Sequence, residues 1–146
     1  MLSRRPLSEG EIRFRLVAKG FTKAQAEAAL CRLRELGLVD DPALCANLAR
    51  AYRDVRRLGP RRITGALLLR RFPRDLVEQS VRAVSRPEEA LATACAALAK
   101  KFRDGIPARR EGTAKAFRFL SGRGFSPEIC RQALRGLPGE IEEGET

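Results

Sequence analysis

An all-α chain of tandem three-helix units is expected from this sequence, because a phrase recurs, its apolar residues keep helical spacing, and capping residues stand at matching places in each copy. The phrase "LVAKGFTKAQAEAAL" at 16–30 returns as "LSGRGFSPEICRQAL" at 120–134 and, degenerate, as "LLLRRFPRDLVEQSV" at 67–81. Its anchor phenylalanines, Phe21, Phe72 and Phe125, are 51 and 53 residues apart. Two residues before each stands a base: Lys19, Arg70 or Arg123. A long period made of helical units predicts a stacked array in which no unit buries its apolar face alone.

Each copy reads as two short helices joined by a tight corner. The first helix is expected to start from a cap at Ser8, Gly59 or Gly112, with Ser8 and Glu11 forming an S-x-x-E capping box and Pro60 at a first helical position. Ile12/Leu16, Ile63/Leu67 and Ala116/Leu120 then share one face at i, i+4. The corner is Gly-Phe in two copies, where Gly20 and Gly124 can turn left-handed and end the helix. Arg71 takes that place in the middle copy, at a cost of about 1 kcal/mol if the turn is kept. The second helix is expected from Thr22, Phe72 or Ser126, with Pro73 and Pro127 at first helical positions and Gln25 closing a capping box. Its buried stripe runs Ala26, Ala29, Leu30, Leu33, then Val77, Val81, Val84, then Cys130, Ala133, Leu134, Leu137.

Two copies carry a longer helix in front. Asp41-Pro42 reads as a cap followed by Pro, before an apolar stripe of Leu44, Leu48, Ala51, Val55 and Leu58, with Arg50, Arg53 and Arg57 nearly opposite. Ser85 and Glu88 are expected to cap the other, whose stripe is Leu91, Ala94, Cys95, Leu98 and Phe102. The first copy has only "MLSRR" before Ser8, so its leading helix is read as missing or truncated. The units are drawn at 1–40, 41–84 and 85–138, with a disordered acidic tail expected at 139–146.

Charge says most about function. The chain has 29 Lys and Arg against 18 Asp and Glu, a net +11; setting aside the tail's four glutamates leaves +15 on residues 1–138. Such a body is drawn to polyanions. With no histidine, nucleophile activation by a Ser-His or Cys-His pair is unavailable, and a metal loses its commonest ligand. The glycines follow no P-loop spacing, and carboxylate pairs such as Asp40/Asp41 and Glu88/Glu89 sit where helix dipoles account for them. Neither an enzyme nor a cofactor is expected. Cys31, Cys45, Cys95 and Cys130 stand inside helical apolar patterns without a CxxC pair and are read as reduced core thiols. The longest uncharged apolar run, 90–99, falls short of the roughly 18 residues of a membrane span. With no signal-peptide core either, a cytoplasmic monomer is expected.

The candidate binding residues are the clustered bases: Arg50, Arg53, Arg57, Arg61 and Arg62, with Arg56, near the middle copy's first corner, Arg70 and Arg71 at its second, then Lys100, Lys101, Arg109, Arg110 and Arg123. The anchor phenylalanines are read as core, which leaves few rings for stacking on bases.

Three stretches together resemble the RecX family of bacterial regulatory proteins, which modulate the RecA recombinase. They are "SEGEIRFRLVAKGFTKAQAEAALCRLRELGLVDD" at 8–41, "DDPALCANLARAYRDVRRLGPRRITGALLLRRF" at 40–72 and "RGFSPEICRQAL" at 123–134. The resemblance implies three three-helix repeats in an elongated, curved molecule that binds the groove of the RecA–DNA filament. There it would restrain strand exchange, ATP hydrolysis and LexA cleavage, as part of recombination, DNA repair and the SOS response. Contact with the single-stranded DNA inside the filament, and weakly with free DNA, is part of that expectation. A helix-turn-helix reader of duplex DNA is the alternative, since helix, Gly-Phe corner and helix is also that motif's outline. The Thr22–Leu36 segment speaks against it, because Glu27 and Glu35 would face phosphates.

Overall fold

Eight α-helices form the regular structure of the described residues, 5–107 and 109–136 of a computed structural model. They are α1 (Glu9–Ala18), α2 (Lys23–Glu35), α3 (Asp41–Asp54), α4 (Pro60–Leu69), α5 (Arg74–Val84), α6 (Pro87–Lys101), α7 (Arg110–Gly122) and α8 (Pro127–Arg135). The chain is all-α over these residues, with no strand among them. Leu137 and the acidic tail lie outside the described residues.

The hydroxyl caps stand where the sequence puts them. Ser8 with Glu11 and Thr22 with Gln25 close reciprocal capping boxes, and Ser126 accepts from the Ile129 N–H. Other starts shift by a residue or more. Asp40, not Asp41, caps α3; Arg86 with Glu89, not Ser85 with Glu88, caps α6; Pro73 is itself the cap of α5. Helix α7 starts earlier than expected, from Arg109, so Gly112 lies in its first turn. There a Cβ would run into the Pro107 carbonyl, so the glycine serves a close approach and not a cap. Asp41, released from capping its own helix, is buried and accepts the Glu9 N–H of α1 at 3.0 Å.

Two cores hold the second and third units. Cys45 and Ala49 of α3 meet Ile63, Leu67, Phe72, Val77, Val81 and Val84. Ala94, Ala97 and Leu98 of α6 meet Ala116, Leu120, Phe125, Cys130, Ala133 and Leu134 in the same way. The helix pair α1–α2 has no leading helix among the described residues, and α1 buries none of its residues. Its anchor Phe21 is 48% exposed, against 4% for Phe72 and 1% for Phe125. The expectation of a core Phe21 is therefore overturned: the stripe is present, but no helix among the described residues covers it. Cys31 is likewise exposed, not a core thiol, while Cys45 and Cys130 are buried and Cys95 half-buried. Helix α3 ends at Asp54, earlier than its apolar pattern suggests, and leaves Val55 and Ala51 exposed.

Successive units dock in a repeated way: the corner of one meets the start of the preceding unit's first paired helix. Between the first pair and the second unit, Ser8 Oγ donates to the Arg70 carbonyl at 2.5 Å, and a Cβ on Gly10 would overlap Arg71. Between the second and third units, the Gly59 N–H donates to the Arg123 carbonyl at 2.8 Å and the Arg61 N–H to the Gly124 carbonyl at 3.2 Å. A Cβ on Gly124, at φ +100°, would lie 2.5 Å from the Arg62 nitrogen. At the matching corner of the second unit, Arg71 does turn left-handed, at φ 63°, with its guanidinium 3.8 Å from the centre of the exposed Phe14 ring. That cation–π contact offsets part of the conformational cost.

Candidate polyanion interface

Docking at the two junctions decides which bases face outward. At the first, Arg70 is 8% exposed and spans the interface: its Nη2 donates to Glu11 Oε1 at 2.9 Å and to the Pro6 carbonyl at 2.6 Å, and its Nε to Glu11 Oε2 at 3.1 Å. This bidentate bond holds the guanidinium's proton more firmly than usual, against the opposing effect of burial. Burial pushes the Glu11 carboxyl up, but hydrogen bonds from Arg70 and the Ser8 N–H, with the charges of Arg70 and Arg5, hold it below its ordinary range. Arg70 thus leaves the set of candidate partner contacts: it is a buried structural cation.

Arg53 is committed in a similar way. Its Nε lies 2.7 Å from Asp54 Oδ1, and its Nη1 reaches Glu89 Oε2 at 3.3 Å and the Val84 carbonyl at 3.4 Å, tying α3 to the start of α6. Arg50 is exposed on α3 and bonded to Asn47. Arg57 does not share that helix face, because it follows the helix end at φ 53°. The three-arginine stripe expected opposite the oily face is therefore one exposed base, one ion-paired base and one loop base.

At the second junction the loop base meets other cations. Arg57, Arg62, Arg123, Lys100, Lys101 and Arg56 line a cavity of about 610 Å³ between the α3–α4 loop and α4 on one side and α6 and α7 on the other. The cavity lining contains no carboxylate; Leu58, Ala97 and Phe119 supply its apolar wall. Arg62 Nη1 donates to the Gly122 carbonyl at 2.8 Å, and Lys101 and Arg123 lie 5.9 and 5.7 Å from the Phe119 ring centre. Arg123 Nε is buried and has no acceptor among the described residues. Burial, with the charges of Arg62 and Arg57, makes the Arg123 guanidinium easier to deprotonate than usual. Arg61, Arg109 and Arg110 are exposed outside this cavity, and Arg71 is exposed at the first junction.

Two features escaped the sequence reading: the Arg70–Glu11 pair, and Phe119 as part of a cationic cavity. Superposing the copies carries the signal for the first. Glu11 lies three residues after Ser8 as Arg62 lies three after Gly59, so one junction offers Arg70 a carboxylate where the other offers Arg123 a cation.

Fold and charge together define a basic, all-helical repeat protein with a cluster of cations at a unit junction. Comparison with known proteins narrows the class. Residues 88–134 match the third three-helix domain of RecX, and residues 1–33 match the first. The regulatory protein RecX of Thermus thermophilus is 40% identical over 146 residues, covering 99% of this chain and 91% of that protein. The regulatory protein RecX of Deinococcus radiodurans is 31% identical over 97% of this chain and 69% of its own length. The crystal structure of RecX from Lactobacillus salivarius superposes with a TM-score of 0.75 at 16% identity, over 99% of this chain and 90% of that one, which supports the fold. The chain belongs to the RecX family of regulatory proteins.

No helix among the described residues is long and apolar enough to cross a membrane.

Proposed function

We propose that this protein, acting as a monomer in the cytoplasm, regulates RecA by lying along the RecA–DNA filament, where it restrains ATP hydrolysis, strand exchange and repressor cleavage. The observation that carries this reading is the unneutralised basic junction in a chain of the RecX family. Stacked along the filament, the units would span neighbouring protomers. Their bases would engage acidic side chains and the phosphates of the enclosed single strand. Binding across protomers opposes the relative movements that filament growth and turnover require.

The test is ATP hydrolysis by RecA on single-stranded DNA, with and without this protein, at two salt concentrations, beside binding to the DNA alone. Salt-sensitive suppression at protein concentrations too low to coat the DNA is the expected result. Unchanged hydrolysis together with tight, sequence-dependent duplex binding would replace this reading with a helix-turn-helix reader of duplex DNA.

A further inference from the structure

The two junctions share their backbone docking and differ in what faces the corner arginine. Arg70 has Glu11; Arg123, its counterpart, has Arg62 and Arg57. A protein gains nothing in stability from gathering six cations around one solvent-open cavity with no carboxylate in its wall. The missing charge has to come from outside the fold.

We propose that the cavity between the second and third units is a phosphoryl-binding site, built to take a phosphate group of a nucleic-acid backbone or a free phosphate. The chemistry of the wall favours phosphate over carboxylate. The cations approach from both units, so the guest must offer oxygens in several directions. A tetrahedral phosphoryl group does so, whereas a carboxylate presents its two oxygens on one side. The guanidinium of Arg62 is already oriented by Gly122, and Arg123 brings a desolvated N–H with no acceptor, so two of the donors are fixed before the guest arrives. Because the wall belongs to both units, a bound phosphate ties them together, and occupancy should register as stability.

The decisive variant is Arg62→Glu, which writes the first junction's chemistry into the second. Thermal unfolding of the full chain is followed in sodium phosphate and in sodium chloride at matched ionic strength, alongside oligothymidylate binding over a salt series. For the unaltered protein, phosphate at tenfold its Kd should raise Tm by about 3–5 °C over chloride. Arg62→Glu should unfold at a higher temperature in chloride, because Arg123 gains a carboxylate, and should lose the phosphate increment. Should that variant fold poorly, the double change Lys100→Gln, Lys101→Gln at the exposed end of α6 leaves the docking contacts in place and should still shrink the increment. A salt slope for oligothymidylate lowered by about one in Arg62→Glu assigns the phosphate to a nucleic-acid backbone. An unchanged slope with the increment lost assigns a free phosphate.

Equal protection of the unaltered protein by phosphate and chloride overturns the proposal. So does protection by polyglutamate as strong as that by phosphate at equal charge, which would make the cavity a seat for an acidic protein segment. This proposal deepens the filament reading and rests on it only for its biological use. Failure to suppress RecA with the phosphate increment intact defeats that reading alone; suppression of RecA without any increment defeats only this one.

Discussion

Where the first helix pair meets the second unit, a buried arginine finds a carboxylate; where the second unit meets the third, its counterpart finds two more arginines. The surrounding backbone contacts are of one kind: a corner carbonyl, that of Arg70 or Arg123, accepts from the capping residue of the preceding unit. Geometry was thus repeated while charge was not. Repeat docking can be maintained by main-chain hydrogen bonds and close approach, leaving side chains at the seam available either to lock it or to receive a guest. The first corner of the chain extends the comparison. Gly20 turns at φ +103° as Gly124 turns at +100°, yet nothing among the described residues lies within 4 Å of a Cβ placed on Gly20.

The largest contrast should come from the anchor phenylalanines. Phe125→Ala empties a site that is 1% exposed and should cost about 3–5 kcal/mol in chemical denaturation. Phe21→Ala, at 48% exposure, should change stability by about 0.5 kcal/mol or less. Comparable losses at both would mean that the first pair is covered in solution as the other units are.

That contrast marks how far the sequence could be read. Helical spacing, the hydroxyl caps and the corners at Gly20, Arg71 and Gly124 are local, and they are legible because each is fixed by a few neighbouring residues. Periodicity says which residues could face a neighbour but not that the neighbour is present, hence the misplacement of Phe21 and Cys31. Arg70 was read as an outward base for a related reason. Its partner Glu11 lies 59 residues away, and a run such as Leu67–Phe72 does not say which of its arginines turns inward. The cap shifts at Asp40 and Arg86 arise where two adjacent residues can each serve, and docking chooses between them.

Next in size, Arg70→Met should cost about 3 kcal/mol, because it strands the Glu11 carboxylate at a buried seam. Arg123→Met should cost far less or stabilise, since the arginine it removes has no acceptor for its Nε and faces like charges. Equal losses in urea titrations of the two variants would break the contrast between the junctions. A smaller difference separates the glycines. Gly20→Ala should lose about 1 kcal/mol through its backbone angle alone, whereas Gly124→Ala should lose at least about 2, since its Cβ would also press on Arg62.

The smallest effect isolates the carboxylate itself. Glu11 is held below its ordinary pKa in the folded chain, so it contributes stability that is fully present above the ordinary carboxylate range, near pH 4.3, and lost as pH falls through its folded value. Asp41, at the same seam, works the other way: burial raises its carboxyl, so it imposes a penalty at neutral pH that acid relieves. A single stability curve against pH mixes the two, together with Glu27 and Asp54, which their arginine partners lower. The difference between the unaltered protein and Glu11→Gln removes the common contributions. That difference should favour the unaltered protein at neutral pH and shrink as pH falls through the folded value of Glu11. A difference that stays constant with pH would mean that Glu11 serves the seam by its shape and hydrogen bonds, and that its charge is not what distinguishes the first junction from the second.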